Sequence, residues 1–320
     1  MLFTKESIKY CLLTWDFFED QHINSYGDQD ITITGLYNWS KVFNGVRSFP
    51  RTTEDFSKFN IIHINLTPKN LPLFSKILPK IDRSITKLLV NVDFAIELWS
   101  RNFEYPHLML QELDKADYIF GVEETMCDIL SKSLGRKVPC IPHPAPIEKI
   151  QKLKKSERMK KIIVSGHRYD TNSIIPWFAL NKALTEEWVT SCVGFYGDKS
   201  RALHLFDEVH DYLPFLEIMD LTSRCYFALE TYMIHSYGRF TVECAALGVP
   251  CIGTNLISSM RKCFPDLCHD VNDFSTIYKL IEDLIHDQDF FTEVAKKGIE
   301  ESNYYSFENC SKLMLDFLNE

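Results

Sequence analysis

The sequence predicts an α/β protein of two Rossmann-like domains, each built on a parallel sheet, that face each other across a cleft. Three observations predict this fold class. The chain has 320 residues, more than a single hydrophobic core usually serves. Short apolar runs rich in Ile, Val and Leu alternate with helical segments in both halves. Residues 142–161 separate the halves, because three prolines there precede a lysine-rich, weakly apolar stretch.

The first half contains five apolar runs that suit parallel strands buried on both faces. Helical segments lie between them, and one ends at Gly135, a residue typical of helix ends. Residues 19–58 show no clear period, and no structure is assigned there. The predicted strands are residues 8–16, 60–67, 87–93, 117–122 and 137–143, and the predicted helices include 70–78 and 125–135.

The second half repeats the alternation. Its predicted strands are residues 161–166, 191–197, 225–231 and 250–255, with helices near 173–184, 199–210 and 239–247. The predicted domains are residues 1–148 and 149–302, followed by a final segment at 303–320. Since βαβ crossovers are right-handed, ligands of both domains should bind at the carboxyl ends of the strands.

Composition and charge exclude several classes of protein. Residues 1–10 lack the apolar core of a secretory leader, and no stretch reaches the ~18 uninterrupted apolar residues of a membrane span. We therefore expect a soluble, cytoplasmic protein. The ten cysteines form no C-x-x-C pair, so most should be reduced and buried. A formal net charge of −9 gives no general attraction to nucleic acid or anionic lipid.

The most informative segment is residues 235–255, where a turn at Gly238 leads into a short helix. The unpaired amides and positive dipole end of such a helix favour an anion. The amides near Tyr237, Gly238 and Arg239 could therefore hold a diphosphate or a sugar. The alternative is that Gly238 only shapes a turn.

Glu243 lies on the same helix, five residues after the glycine. A carboxylate at this place could accept hydrogen bonds from the vicinal hydroxyls of a ribose. The alternative is a solvated helix face. However, Glu243 lies within the apolar stretch TVECAAL, where burial of an unpaired carboxylate would be costly.

This segment resembles the C-terminal motif of glycosyltransferase family 4, in which Glu-x7-Glu lies within Glu-x-Phe-Gly-(x)4-Glu-(x)4-Gly-x-Pro. The matching positions are His235, Tyr237, Gly238, Glu243, Gly248 and Pro250, with His235 in place of the first glutamate and Ala245 in the apolar segment after Glu243. The resemblance implies the GT-B fold, contact of Glu243 with the nucleotide ribose, and a place for His235 near the transferred sugar. It extends loosely over nearly the whole chain and implies that a helix within residues 303–320 returns to the first domain.

In that family, basic residues after the first strand of the second domain neutralise the donor diphosphate. The corresponding segment here is residues 164–173, with Gly166 at the strand end and Arg168 as the cationic candidate. The lysine that the family usually carries a few residues later is absent, so Lys199 or Arg239 could complete the site. A surface position for Arg168 is an equally open alternative.

Asp93 ends a buried strand of the first domain, at the edge where a doubly wound fold displays its functional side chains. Family members often carry an active-site histidine or aspartate here, which implies a catalytic role for Asp93. The alternative is that Asp93 caps the following helix. His63, Asn65 and His143 could also line the cleft.

These features predict transfer of a glycosyl group from a UDP- or GDP-linked sugar to an acceptor hydroxyl, with retention if the family likeness holds. No H-x-x-x-H or paired-carboxylate spacing indicates a metal, so we expect neither a metal nor a cofactor. The acceptor stays open between a glycan, a lipid-linked sugar, a protein and a modified DNA base. Three alternatives also stay open: a phage-type glycosyltransferase of hydroxymethylcytosine in DNA, a sugar-nucleotide epimerase, and a non-catalytic module that binds a nucleotide-sugar or glycan.

Overall fold

A computed structural model describes residues 2–13, 35–48, 55–67, 71–93, 95–99, 105–166, 175–194, 204–211 and 213–320 of the chain. The chain divides into two compact units. Unit 1 comprises Met1–Ala145 and Tyr305–Glu320, and unit 2 comprises Pro146–Tyr304. In the described ranges each unit contains one parallel sheet, so the predicted class, α/β with two parallel-sheet domains, is confirmed.

The sheet of unit 1 has five strands in the order β2-β1-β3-β4-β5. Four of them lie within predicted runs, whereas β2 lies in the 19–58 region, where the sequence predicts nothing. Alternate residues of β3 and β4, such as Ile62 and Val90, pack into the hydrophobic core of this unit. The strands are β1 (Tyr10–Leu13), β2 (Val46–Ser48), β3 (Ile61–Asn65), β4 (Lys87–Val92) and β5 (Tyr118–Gly121).

The strand predicted at residues 137–143 is wrong. The segment makes one isolated parallel bridge, between Gly121 and Cys140. Pro139 and Pro142 have no N–H group to donate to a ladder, so the segment lies beside β5 without extending the sheet.

The sheet of unit 2 has six strands in the order β11-β10-β9-β6-β7-β8. The helix predicted at residues 199–210 is wrong at its described end, where Glu208 and Val209 form β8 and Ser191 of β7 pairs with Glu208. Lys161 Nζ lies 2.8 Å from Glu208 Oε1, which holds this short strand to the sheet. The strands are β6 (Lys161–Ser165), β7 (Val189–Val193), β8 (Glu208–Val209), β9 (Phe227–Glu230), β10 (Cys251–Thr254) and β11 (Cys268–His269).

One helix of unit 1 begins and ends at residues whose chemistry suits helix termini. The Glu123 carboxylate accepts the amides of Thr125 and Met126 at the start of one helix, and Gly135 ends that helix with φ 64°. The α-helices of the described residues are α1 (Asn38–Val42), α2 (Leu71–Ile77), α3 (Ile96–Trp99), α4 (Tyr105–Leu113), α5 (Glu124–Leu134), α6 (Ile147–Gln151), α7 (Ile175–Ala183), α8 (Phe215–Arg224), α9 (Arg239–Ala246), α10 (Ser258–Cys263), α11 (Phe274–His286), α12 (Gln288–Ser302) and α13 (Phe307–Leu318).

Helix α13 lies in unit 1 and is tied to it by hydrogen bonds at both ends. Ala145 N–H donates to Tyr305 O over 2.8 Å, just before the helix. At the other end, Asn319 Oδ1 accepts from Phe3 N–H over 2.7 Å. Within the described part of the chain, every helix is too short or too polar to cross a bilayer.

Candidate functional site

The loop at residues 231–238 joins β9 to α9 and turns sharply at Gly238. Gly238 has φ 78°, in the left-handed region that favours glycine. A Cβ at this position would lie 2.1 Å from Ile257 Cγ2 and 2.3 Å from Ser259 Oγ. The loop therefore lies closer to the neighbouring segment than a side chain at position 238 would permit.

Three consecutive carbonyl groups of this loop point towards the start of α10. Ser236 O accepts from Ser258 N–H over 2.9 Å, and Tyr237 O accepts from Ser259 N–H over 3.2 Å. Gly238 O accepts from the Ser259 hydroxyl over 2.6 Å and also from Val242 N–H of α9 over 3.3 Å. The carbonyl side of the loop is therefore fixed against α10.

The amide side of the same three peptide groups must face the other way. In a trans peptide the C=O and N–H bonds point in opposite directions. The N–H groups that share planes with these carbonyls belong to Tyr237, Gly238 and Arg239. They therefore lie on the side of the loop away from α10, beside the N-terminus of α9, where backbone amides suit an anion. These are the residues at which the sequence predicts a diphosphate or sugar.

Glu243 lies one turn into α9 and is only 3% exposed, so it does not lie on a solvated helix face. Its Oε1 is 3.1 Å from Arg239 Nε, in an i,i+4 ion pair. Burial raises the pKa of the Glu243 carboxyl, and the charge of Arg239 opposes this increase. The structure thus brings two predicted nucleotide contacts together, and each neutralises the charge of the other.

Glu230, which the sequence reasoning misses, lies directly beneath this loop. It ends β9 and is 1% exposed, and its carboxylate accepts from both the N–H, over 2.9 Å, and the hydroxyl of Thr241. Thr241 is the third residue of α9, and Gly238 has no side chain with which to cap that helix. Glu230 therefore supplies the cap from the neighbouring strand.

The environment of Glu230 shifts its titration. Burial raises the pKa of the Glu230 carboxyl from its ordinary value of 4.5 to about 7, although the two hydrogen bonds from Thr241 oppose the shift. One sequence signal could have found Glu230: an acidic residue at the carboxyl end of a buried parallel strand, the signal that selects Asp93.

Gly166 follows β6 at the same edge of the unit 2 sheet, because β6 and β9 are neighbours. It is buried, and its N–H donates to Val193 O over 2.8 Å. The adjacent Ser165 Oγ lies 3.4 Å from the hydroxyl of Tyr232. This contact joins the end of β6 to the loop that leads into α9.

The roles predicted for three other residues stay predictions. His235 is half-buried in the loop at residues 231–238. Arg168 and Lys199, the cationic candidates for the diphosphate, lie outside the described residues. Their roles therefore rest on the sequence alone.

Gly238→Ala is expected to lower the free energy of unfolding, because the new methyl group would overlap Ile257 and Ser259. Gly135→Ala is the matched control, since Gly135 also has positive φ but no atom lies within 4 Å of its ideal Cβ. We expect Gly238→Ala to cost about 1–2 kcal/mol more than the control in urea titrations, the usual cost of overpacking. Equal destabilisation by the two substitutions would show that the close contact with α10 does not constrain the loop.

In unit 1, the four polar residues predicted to line a cleft lie in one group. Asp93 follows β4 and its side chain is 29% exposed, with Oδ2 3.2 Å from His143 Nε2. Asp93 Oδ1 lies 3.4 Å from Asn65 Nδ2. His63 joins them through Asn91, whose Oδ1 lies 2.8 Å from His63 Nε2 and whose Nδ2 lies 3.1 Å from Asn65 Oδ1.

The strand register explains this grouping. Residues two apart on a strand share a face, so His63 and Asn65 of β3 lie on the same side, as do Asn91 and Asp93 at the end of β4. Asn65 pairs directly with Asn91 in the parallel ladder. The polar residues of both strands therefore meet on one face, opposite the face that packs into the hydrophobic core.

In the described ranges, no three His, Cys, Asp or Glu side chains are grouped so that they could hold a metal ion. Of the acidic and histidine side chains described above, Asp93 and His143 bond to each other, Glu230 bonds to Thr241, and Glu243 pairs with the guanidinium of Arg239. Metal independence stays a prediction.

Comparison of the sequence with models of known protein families gives no match, and neither does comparison with curated proteins. The structure, however, is similar to solved structures. It matches sucrose-phosphate synthase from Thermosynechococcus elongatus with TM-score 0.69, 11% identity and coverage of 97% of this chain and 98% of that one. It matches Anabaena HepE in complex with UDP-glucose with TM-score 0.71, 11% identity and coverage of 98% and 99%.

A trehalose-6-phosphate synthase, OtsA, also matches, with TM-score 0.66, 10% identity and coverage of 81% of this chain and 72% of that one. The protein has the GT-B fold, because it contains two parallel α/β units and is similar to the first two of these structures over nearly its full length. The fold expected from the sequence resemblance is therefore confirmed.

Proposed function

We propose that the protein transfers a glycosyl group from a nucleotide-diphosphate sugar, UDP- or GDP-linked, to an acceptor hydroxyl. The observation that carries the proposal is the orientation of the N–H groups of Tyr237, Gly238 and Arg239. The carbonyls of the same three peptide groups are hydrogen-bonded to α10, so the N–H groups face the other side of the loop. This arrangement suits a diphosphate at the N-terminus of α9. The likeness to HepE, whose solved structure contains UDP-glucose, supports the same choice of ligand.

The proposed division of labour follows the two units. In unit 2, the amides stabilise the leaving diphosphate and Glu243 accepts hydrogen bonds from the ribose hydroxyls. In unit 1, Asp93 orients the acceptor hydroxyl. Backbone amides and the dipole of α9 take the part that a divalent cation plays in other transferases, so the proposed reaction is metal-independent. We further propose retention at the anomeric carbon, with the leaving phosphate removing the acceptor proton.

Thermal-shift measurements across UDP- and GDP-linked sugars provide the first test. A ligand at 100 times its Kd stabilises the fold by about 2.7 kcal/mol, which a melting curve resolves easily. Incubation of a stabilising nucleotide-sugar without an acceptor then separates a transferase from an epimerase, because only an epimerase forms a new sugar nucleotide in that mixture.

Glu243→Ala tests the nucleotide contact. Loss of charge-assisted hydrogen bonds to the ribose is expected to weaken nucleoside diphosphate binding by about 1.5–3 kcal/mol in calorimetric titrations. Glu300→Ala is the matched control, because Glu300 also forms an i,i+4 pair with a cation on a helix of unit 2, Lys296. Unchanged affinity in a folded Glu243→Ala variant would contradict the assignment of this residue.

A further inference from the structure

Five side chains of unit 1 form a continuous chain of hydrogen bonds that ends at Asp93. The Tyr10 hydroxyl bonds to His63 Nδ1, and His63 Nε2 lies 2.8 Å from Asn91 Oδ1. Asn91 Nδ2 lies 3.1 Å from Asn65 Oδ1, and Asn65 Nδ2 lies 3.4 Å from Asp93 Oδ1. Tyr10, His63 and Asn91 are almost completely buried, so water does not compete for these bonds.

A second, shorter branch reaches the other oxygen of the same carboxylate. Trp39 Nε1 lies 3.1 Å from His143 Nδ1, and His143 Nε2 lies 3.2 Å from Asp93 Oδ2. An indole N–H can only donate, so His143 Nδ1 must accept. The imidazole proton of His143 therefore lies on Nε2 and is donated to Asp93.

The direction of the longer branch follows from the carboxylate. Since an ionised carboxylate only accepts, Asn65 turns its NH₂ group towards Asp93 and its oxygen towards Asn91. Asn91 then donates to Asn65 and accepts from His63 Nε2–H, which leaves His63 Nδ1 to accept from the Tyr10 hydroxyl. Burial lowers the pKa of His63 to about 3, so this imidazole stays neutral at neutral pH.

We propose that the residues of these two branches are positioning residues. They hold the partly exposed Asp93 carboxylate so that it accepts a hydrogen bond from the hydroxyl of the substrate that receives the sugar. Every donor of both branches points towards Asp93, one branch to each oxygen. The carboxylate cannot rotate without breaking a bond, and it orients a substrate hydroxyl by accepting a hydrogen bond from it. This inference rests on the proposed function, in which that hydroxyl belongs to the substrate that receives the sugar.

Nitrogen NMR of the imidazole rings tests the direction of the chain without any substrate. Both His63 and His143 should be the Nε2–H tautomer at neutral pH. Tyr10→Phe should change the signals of His63 while those of His143 keep their shifts, and Trp39→Phe should do the reverse. An Nδ1–H tautomer at either residue would overturn the inference, because it would place two donors face to face or reverse the chain.

Steady-state kinetics with a saturating nucleotide-sugar test the positioning role. Removal of one hydrogen bond from the chain should lower kcat about tenfold for Asn65→Ala and about threefold for Tyr10→Phe, with KM for the donor unchanged. In an Asp93→Asn background the same substitutions should have little further effect, because residues that act through one group are not additive.

Two matched controls separate positioning from general stability. Tyr118→Phe removes a tyrosine hydroxyl that bonds to Leu318 O over 3.0 Å in the same unit. Asn60→Ala removes an asparagine that bonds to Ser7 O and Lys9 N–H, just before β3. Both should keep the wild-type kcat.

Equal losses in the controls, or full additivity with Asp93→Asn, would overturn the positioning role. Absence of glycosyl transfer by the wild-type protein would overturn the proposed function, whereas the tautomer measurement decides the hydrogen-bond direction independently of that result.

Discussion

Asp93→Asn is expected to lower turnover by about 10²–10⁴-fold without altering nucleotide affinity, the usual effect of removing a positioned polar group at a reacting centre. The substitution keeps the shape of the side chain but replaces one accepting oxygen with an NH₂ group. That group would face either His143 Nε2–H or the Asn65 amide, both of which donate to the carboxylate. The proposed nucleotide contacts lie in unit 2, so affinity should stay unchanged.

Asp117→Asn is the matched control for this experiment. Asp117 precedes β5 at the amino end of the same sheet, and its carboxylate also accepts two hydrogen bonds, from Arg83 Nη2 over 2.6 Å and Leu88 N–H over 2.7 Å. The control should keep full turnover. If Asp93→Asn keeps full turnover as well, the catalytic centre does not lie at the end of β4.

The stereochemical outcome of the reaction bears on the same residue. Proton NMR of the product gives the anomeric configuration from the coupling of the anomeric proton. Retention fits proton transfer to the leaving phosphate, with Asp93 orienting the hydroxyl. Inversion would instead make Asp93 the general base.

The free energy of unfolding is expected to fall between pH 4.5 and about 7 because of Glu230. The native state keeps the proton of this carboxyl up to about pH 7, whereas the unfolded chain releases it near 4.5. Between these pH values the folded state binds more protons than the unfolded chain. The contribution of Glu230 to stability is therefore complete below pH 4.5 and is lost as the pH rises. At 1.36 kcal/mol per pKa unit, the loss amounts to about 3 kcal/mol.

Glu230→Gln removes this titration, so the variant should lack the corresponding part of the pH dependence in urea unfolding. Glu243 and Arg239 face the same region, with opposite effects on the Glu230 carboxyl. Thr241→Val is the companion variant, because loss of the hydroxyl that bonds to Glu230 should raise the pKa of Glu230 in the folded state and extend the fall in stability to higher pH. Superimposable pH profiles for the wild type and Glu230→Gln would contradict the prediction.

Local patterns were sufficient for several elements of the structure. The helix at Glu124–Leu134 and its end at Gly135 follow from the apolar period and the glycine. The turn at Gly238, the short helix α9 and its end before Gly248 follow in the same way. Local patterns failed at residues 137–143, where an apolar run resembles a strand although its prolines prevent a ladder.

The sequence by itself determined that the protein has two parallel α/β units and that polar residues follow particular buried strands, because periodicity and helix-end signals involve residues close together in the chain. Only the tertiary structure decided which of those residues meet. Asn65 and Asn91 are partners because β3 and β4 are neighbours in register, and Glu230 caps α9 because the chain folds back over the end of β9. Such contacts depend on strand order and register, which are set by packing between segments distant in sequence.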